Sequence, residues 1–223
     1  MAAFYRLSRI LSEVNIIKKV ILIHGYFRKS KDMKPLSKNL SALGYYPVCM
    51  DFPLTFKSFV DSFPILEDMI SKDKHDEIYL VGHSTGGLLI RYFLKKSHYA
   101  KKIKRCVLIA APNTGSELAD TTSNISKTFL NIFRTLKSIQ TKNINKLKLN
   151  DIKNIDIGVI AGSKKGILFG HLLDSENDGR VSIHSTKFDG IKDFIVLDYG
   201  HKKIHHKYKT ARLVDRFLRD GNF

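Results

Sequence analysis

A serine flanked by glycines lies at the junction of two apolar runs. Residues 79–94 read YLVGHSTGGLLIRYFL, with Ser84 between Gly82 and Gly86. A serine hydroxyl becomes a useful nucleophile when a base takes its proton and a substrate can reach its oxygen. A tight turn from a strand into a helix exposes the side chain in this way, and it requires small residues on both sides of the serine. The pattern predicts a nucleophilic Ser84, with the amide of Thr85 at the helix start as an oxyanion donor.

Such a serine also needs an acid that orients its base, and a later loop offers three carboxylates. Residues 174–185 read DSENDGRVSIHS. The Asp178-Gly179 pair predicts a turn that can hold a carboxylate toward an imidazole. We therefore favour Asp178 as the acid, with Asp174 and Glu176 as alternatives in the same loop.

Nine histidines compete for the role of the base. His201 is favoured because it lies directly after the last predicted strand and before the last predicted helix. His24 and His83 lie near the predicted site but are wrongly placed for a base. We expect His205 and His206 at the surface, because their spacing from His201 lacks an H-E-x-x-H motif and gives little support for a metal. The predicted chemistry requires neither a metal nor an organic cofactor.

The second oxyanion donor should come from a loop after an earlier strand. Residues 21–30 read ILIHGYFRKS, so an apolar run ends at His-Gly and the amide of Tyr26 follows. We expect this amide to act together with that of Thr85.

The elements that must position these residues are short apolar strands alternating with helices. The predicted strands are KKVILIHG, YYPVCMDFP, EIYLVGH, KRCVLIAAP, DIGVIAG and DFIVLDYG. The predicted helices cover residues 32–43, 64–70, 85–96 and 208–218. Strands that are apolar throughout favour a mostly parallel sheet of about six strands with helices on both faces.

The segment 117–154 interrupts this alternation. Its apolar residues recur at helical spacing: Ile125, Phe129, Ile132, Phe133, Leu136 and Ile139. Such a segment is either an ordinary packing helix or a cap over a pocket. Since no repeat, low-complexity tract or linker is present, we expect residues 1–223 to form one domain that carries 117–154 as a cap insertion.

The chain has a formal net charge of +17, with 43% hydrophobic residues among its 223. No nucleic-acid-binding motif accompanies the charge, so we do not expect a nucleic-acid partner. Either lysine-rich composition alone or an anionic substrate or membrane surface explains the charge. Five cations should flank one entrance: Arg28, Lys29, Lys31, Lys202 and Lys203.

Two features of the sequence bear on the cellular compartment, namely the lack of recognisable targeting segments and the two cysteines. No apolar run is long enough for a membrane span, and the start of the chain lacks the features of a signal peptide. We therefore expect a cytoplasmic protein that is able to lie at a membrane surface. Cys49 and Cys106 both lie in strand-like runs, and we expect them to be buried, reduced thiols.

Five motifs in order together resemble those of small bacterial α/β-hydrolases of the lipase/esterase type. They are HGYFRKSKDMKPL, HSTGG, APNTGS, DGRVS and HKKIHHKYKTARLVDRFLRDGNF, and they span residues 24–223. The resemblance implies an α/β-hydrolase fold that cleaves small-molecule or lipid carboxylic esters without a cofactor. It also implies that Ser84 is the nucleophile, Asp178 the acid and His201 the base, and that His24 shapes the oxyanion loop.

Two features depart from the family pattern. Thr85 stands where an apolar residue is usual, and lysines and histidines follow His201 in place of an apolar run. These departures weaken the inference to long-chain triacylglycerol more than the inference to ester hydrolysis. Acyl transfer or thioester cleavage by the same residues remains an alternative, as does a lipid- or membrane-binding protein without turnover.

Overall fold

The six predicted strands form one parallel sheet, which confirms the predicted fold class. The structure, a computed structural model, describes residues 17–75, 77–125, 131–150, 152, 154–165, 173 and 175–223. The strands are β1 (Lys18–Ile23), β2 (Tyr46–Cys49), β3 (Glu77–His83), β4 (Ile103–Ile109), β5 (Asp156–Gly162) and β6 (Asp193–Leu197). Their order in the sheet is β2-β1-β3-β4-β5-β6, and every neighbouring pair is parallel.

Helices connect the strands where amphipathic runs predicted them. The α-helices in the described residues are α1 (Lys34–Ala42), α2 (Phe63–Ser71), α3 (Thr85–Lys96), α4 (Glu117–Ile125), α5 (Arg134–Ser138), α6 (Thr141–Lys146) and α7 (Tyr208–Asp220). Pro35 and Pro64 occupy the first turns of α1 and α2, where a missing amide proton costs no intrahelical bond. Short 3₁₀ helices cover Ser30–Met33, Phe59–Ser62, His98–Lys102, His184–Thr186 and Ile204–His206.

Two hydrophobic cores cover the two faces of the sheet, as the strand composition predicted. Alternate residues of β1 point to opposite faces, so Ile21 packs in one core with Leu88 of α3. Val20 packs in the other core with Leu36 of α1 and Val214 of α7. Since all strands are parallel, the loops that follow them meet at one edge, where ligands bind in open α/β sheets.

The segment 117–154 does not form one continuous helix. Residues 126–130, including Phe129 of the predicted apolar face, lie outside the described residues, and α5 begins only after Phe133. Tertiary contacts explain the interruption, because Phe133 stacks on Phe56 with ring centroids 5.6 Å apart. The hydroxyl of Thr135 also donates a hydrogen bond to the carbonyl of Lys57. Helical periodicity therefore identified the apolar residues but not the breaks between the helices.

Two further expectations concern membranes and thiols. Within the described ranges, no helix combines the length and the apolar composition that a membrane crossing requires. The predicted absence of a signal peptide falls on residues 1–16, which are outside the described residues. Cys106 is buried and Cys49 is half-buried, and both are free thiols.

Candidate active site

Ser84 lies at a strained turn between β3 and α3. Its φ and ψ are 54° and −125°, a region that residues other than glycine rarely adopt. The amide of Ser84 donates a hydrogen bond of 2.8 Å to the carbonyl of Ile109 in β4, which fixes the turn on the sheet. The side chain therefore projects beyond the carboxyl edge of β3, and it is 8% exposed.

The glycines around Ser84 allow this turn to pack tightly, for the reason that the sequence indicated. A Cβ atom on Gly82 would lie 2.6 Å from backbone atoms of Gly86 and Gly87 in the first turn of α3. A Cβ atom on Gly86 would lie 2.5 Å from the carbonyl oxygen of Ile23 at the end of β1. Neither position has room for any side chain.

A hydrogen-bond chain brings together the three residues predicted as acid, base and nucleophile. His201 Nδ1 lies 2.8 Å from Asp178 Oδ2, and His201 Nε2 lies 3.1 Å from Ser84 Oγ. Because the carboxylate can only accept, Nδ1 carries the proton and Nε2 is free to accept the hydroxyl proton. All three residues are buried.

Asp178 is held by the turn that carries it. Its Oδ1 accepts hydrogen bonds from the amides of Arg180 (3.0 Å) and Val181 (2.9 Å), so Oδ2 is left to face His201. Its carbonyl also accepts a 2.9 Å hydrogen bond from the amide of His201. Of the two alternatives, Glu176 is exposed, and Asp174 lies outside the described residues.

The loop after β1 lies directly against the turn at Ser84. A Cβ atom on Gly25 would lie 2.8 Å from Ser84 Cβ, so the chain that leads to Tyr26 passes within contact of the serine. Thr85 is the first residue of α3, and amides in the first turn of a helix have no intrahelical acceptor. The hydroxyl of Thr85 is buried and has no hydrogen-bond partner in the described part of the chain.

His24 fixes the loop before Tyr26. Its Nδ1 donates a 2.9 Å hydrogen bond to the carbonyl of Gly25, and its Nε2 accepts a 3.0 Å bond from the amide of Phe52. A ring with one donor and one acceptor nitrogen is neutral. Burial lowers the pKa of His24, although the bond to Gly25 and the charges of Asp51 and Asp32 oppose the shift.

The expectation that His205 lies at the surface is wrong, because the side chain is completely buried. Its Nε2 donates a 3.0 Å hydrogen bond to Asp32 Oδ2, and its ring stacks on His83 with centroids 3.8 Å apart. His206 is half-buried, and its Nε2 donates to the carbonyl of Asp32 at 3.0 Å. Asp32 thus binds both histidines that follow the predicted base.

His83 connects this cluster to His201. Its Nε2 donates a 3.0 Å hydrogen bond to the carbonyl of His201, and its Nδ1 has no partner within the described residues. Burial lowers the pKa of His83 well below its ordinary value, and the neighbouring His205 and His201 lower it further. The hydrogen bond from His83 therefore helps to hold the loop that carries the predicted base.

Potential ligand atoms of Asp32, His83 and His205 lie within 4.8 Å of one another. Both Nε2 atoms of these histidines donate protons to oxygen acceptors, and both Nδ1 atoms have no hydrogen-bond partner among the described residues. The hydrogen bonds to Asp32 and to the carbonyl of His201 hold the two rings in place, whereas a zinc site would require nitrogens of both rings about 2.1 Å from one ion. Sequence spacing gave no signal for the cluster, because its members are separated by 51 and 122 residues along the chain.

A parallel sheet with a serine at a strained strand-to-helix turn defines an α/β-hydrolase of the lipase/esterase type. The family model described as "PGAP1-like alpha/beta domain" matches residues 60–193, which is more than half of the chain. The chain therefore belongs to the family of PGAP1-like alpha/beta domains.

Several known proteins resemble the chain. A protein named as a chloroplastic methylesterase of Arabidopsis thaliana is 28% identical over 110 residues, which cover 45% of this chain. The match spans only 31% of the length of that relative.

Among solved structures, the mature lipase BlEst2 of Bacillus licheniformis aligns with a TM-score of 0.78 at 19% identity, covering 92% of this chain and 91% of that chain. The metagenomic carboxyl esterase MGS0156 has a TM-score of 0.78 at 15% identity, with 92% and 76% covered. Phospholipase PlaB of Legionella pneumophila has a TM-score of 0.69 at 16% identity, with 91% and 60% covered. At these identities the likeness shows the fold.

Proposed function

We propose that this protein is a serine hydrolase that cleaves carboxylic esters through an acyl-enzyme. Ser84 is the nucleophile, His201 the base and Asp178 the acid that orients the base. The observation that carries the proposal is the hydrogen-bond chain from Asp178 through His201 to Ser84 at the strained turn. The family, together with the names of the similar lipases and esterases, supports ester hydrolysis as the general activity.

The reaction follows from the positions of the donors and acceptors. His201 Nε2 takes the proton of Ser84 Oγ while that oxygen bonds to the carbonyl carbon of the ester. Asp178 stabilises the imidazolium, which then gives its proton to the departing alkoxide, so that an alcohol leaves. His201 next removes a proton from a water molecule, whose oxygen bonds to the acyl carbon. The imidazolium returns the proton to Ser84 Oγ as the bond from Oγ to the acyl carbon breaks, which releases the carboxylic acid.

The amides of Tyr26 and Thr85 are the proposed oxyanion donors. The contact of Gly25 with Ser84 brings the loop that carries Tyr26 next to the reacting carbonyl. The amide of Thr85 comes from the positive end of the α3 dipole. Two such donors stabilise the negative oxygen that develops in each tetrahedral intermediate.

We further propose that residues 117–154 form a cap at the entrance and that the substrates are lipid or other apolar esters. Glu117 accepts a 2.7 Å hydrogen bond from Ser182 in the acid loop, so α4 contacts the carboxyl edge. Phe27, Phe56 and Ile132 are 64%, 59% and 55% exposed. Exposed apolar side chains next to cations support contact with an anionic membrane surface as well.

Covalent labelling tests the proposal directly. A fluorophosphonate probe is expected to label the wild-type protein and to leave Ser84→Ala unlabelled. Ser84→Ala is also expected to lose nearly all turnover of short p-nitrophenyl esters, by several orders of magnitude, while keeping its thermal unfolding temperature. Wild-type turnover in this variant would refute the assignment of the nucleophile.

The same esters separate hydrolysis from its alternatives. A burst of p-nitrophenol followed by steady turnover in water indicates an acyl-enzyme that water resolves. Product that forms only when an alcohol acceptor is added would indicate acyl transfer. If no p-nitrophenol is released although the protein binds lipid, the chain would be a binding protein without turnover.

A further inference from the structure

A groove of about 660 Å³ begins immediately after the oxyanion loop. The exposed aromatic rings of Phe27 and Phe56 form part of its lining, and so do the cations Arg28, Lys29 and Lys31. Its size falls within the range of pockets that hold small ligands. The groove therefore combines apolar walls with positive charge in one concave surface.

The carboxylate of Asp32 offsets the charge of at most one of these three cations. Asp32 belongs to the described lining, but its oxygens are engaged by His205 at 3.0 Å and by His206 at 3.4 Å. Arg28 lies 3.9 Å from the same carboxylate, and its side chain remains 37% exposed. Lys29 and Lys31 are exposed to solvent. Positive charge therefore remains available to a ligand.

A second arginine, Arg180, lies within electrostatic range of Arg28. Arg180 follows the predicted acid by two residues, and its backbone amide is bonded to Asp178 Oδ1. The side chain is half-buried, and it lies in the field of Arg28, Asp178 and Tyr26. Burial and the charge of Arg28 both lower the pKa of Arg180, so the two cations repel each other. An anion between them would relieve this repulsion.

The groove is close enough to Ser84 for one ligand to occupy both. Gly25 contacts Ser84, and Phe27 follows Gly25 by two residues, which is at most about 7 Å of extended chain. We propose that the groove binds the anionic headgroup of the substrate, so that the esters cleaved at Ser84 are anionic amphiphiles. This inference rests on the proposed function for its substrate. Binding of the headgroup to this groove, in contrast, does not depend on catalysis and can be measured separately.

Binding to the inactive Ser84→Ala variant separates the site from the reaction. The probes are octyl phosphate and octyl phosphocholine, which share a chain and a phosphate but differ in net charge, with inorganic phosphate as a third probe. All are measured by calorimetry below the micelle concentration. We expect octyl phosphate to bind at least tenfold more tightly than octyl phosphocholine, because the choline cation offsets the phosphate charge that the cations would bind. We expect it also to bind more tightly than inorganic phosphate, because only its alkyl chain can contact Phe27 and Phe56.

Two triple variants of equal charge test the location. R28Q/K29Q/K31Q is expected to weaken octyl phosphate binding about tenfold or more. K74Q/K101Q/R216Q changes three exposed cations away from the groove and is expected to leave binding unchanged. Lys74 and Lys101 precede β3 and β4, at the opposite edge of the sheet.

The outcomes distinguish this proposal from the proposed function. Equal affinity for octyl phosphate and octyl phosphocholine, or equal losses in the two triple variants, would overturn the headgroup site. Binding to phosphatidylglycerol vesicles without binding of monomeric octyl phosphate would also overturn it and would assign the cations to membrane contact. If octyl phosphate binds as expected but the wild type cleaves no ester, the headgroup site stands and the proposed function fails.

Discussion

Replacing Gly25 with alanine perturbs the contact between the proposed oxyanion loop and Ser84, the proposed nucleophile. The new Cβ atom would lie 2.8 Å from Ser84 Cβ and 3.3 Å from the carbonyl oxygen of His83. Carbon atoms in ordinary contact are about 3.5–4.0 Å apart, so the two chains must separate by about 1 Å. Ser84 cannot easily yield, because its amide is bonded to Ile109 in the centre of the sheet. The loop that carries Tyr26 is therefore the part that moves.

A shift of about 1 Å is large compared with the tolerance of an oxyanion hole. A donor about 2.9 Å from the oxyanion would move to nearly 4 Å, which is beyond hydrogen-bond distance. Loss of one oxyanion donor typically lowers kcat by a factor of about 10²–10³, or about 3–4 kcal/mol. We expect Gly25→Ala to show a loss of this size.

The assay compares kcat for p-nitrophenyl butyrate with the thermal unfolding temperature. Gly44→Ala is the matched control, because Gly44 has φ +88° and no atom within 4 Å of the added Cβ. This change strains the backbone by about 1–2 kcal/mol and should lower the unfolding temperature without altering kcat. Wild-type kcat in Gly25→Ala would refute the placement of the oxyanion loop, and an equal fall of kcat in Gly44→Ala would show that general destabilisation is the cause.

Two further predictions concern the acid, the base and the buried imidazoles. His201→Ala should lose as much turnover as removal of the nucleophile, and Asp178→Asn should lose as much or less, because the imidazole is then poorly oriented. Full activity in Asp178→Asn with loss in Asp174→Asn would move the acid. Burial lowers the folded-state pKa of His83 and His205, so the unfolded chain binds more protons near pH 6.5. The contribution of these two histidines to stability is present above that pH and is lost as the pH falls. The unfolding temperature should therefore drop between pH 8 and pH 5. A constant unfolding temperature across this range would contradict buried neutral imidazoles.

The fold was predictable because the local residue pattern of each element indicates whether it is a strand or a helix. Strands buried on both faces must be apolar throughout, and the six apolar runs match β1 to β6 within a few residues at either end. The turn at Ser84 was also predictable, because only small residues fit where β3, α3 and β1 meet. Such constraints act between neighbours in sequence, so spacing alone reveals them.

The breaks in the segment 117–154 and the histidine cluster could not be predicted in the same way. The breaks in the segment 117–154 depend on contacts with Phe56 and Lys57, which are far away in sequence. The burial of His205 depends on Asp32, which is 173 residues away. A histidine followed by polar residues has the local pattern of an exposed loop, and nothing nearby indicates the carboxylate that binds it.

The loop that carries His201 must reach back across the sheet to Ser84, and the histidines that follow His201 help to hold it there. Ser84 follows β3, whereas His201 lies in the loop after β6, and these strands are three positions apart in the sheet. At about 4.8 Å per strand, the loop after β6 must bring an imidazole back across about 14 Å of sheet edge. The loop is held over that distance by Asp32, which follows β1 and accepts hydrogen bonds from His205 and His206.

The same carboxylate therefore links the two loops that must meet at Ser84. One loop begins with Tyr26, the proposed oxyanion donor, and the other carries His201, the proposed base. His83 lies beneath both, since its ring stacks on His205 and its Nε2 donates to the carbonyl of His201. These contacts are buried, so a small displacement of either loop would disturb the hydrogen bonds that hold the other loop. The position of the proposed oxyanion donor is therefore coupled to that of the proposed base. The lysines and histidines that depart from the family pattern after His201 thus include the side chains that hold its loop in place.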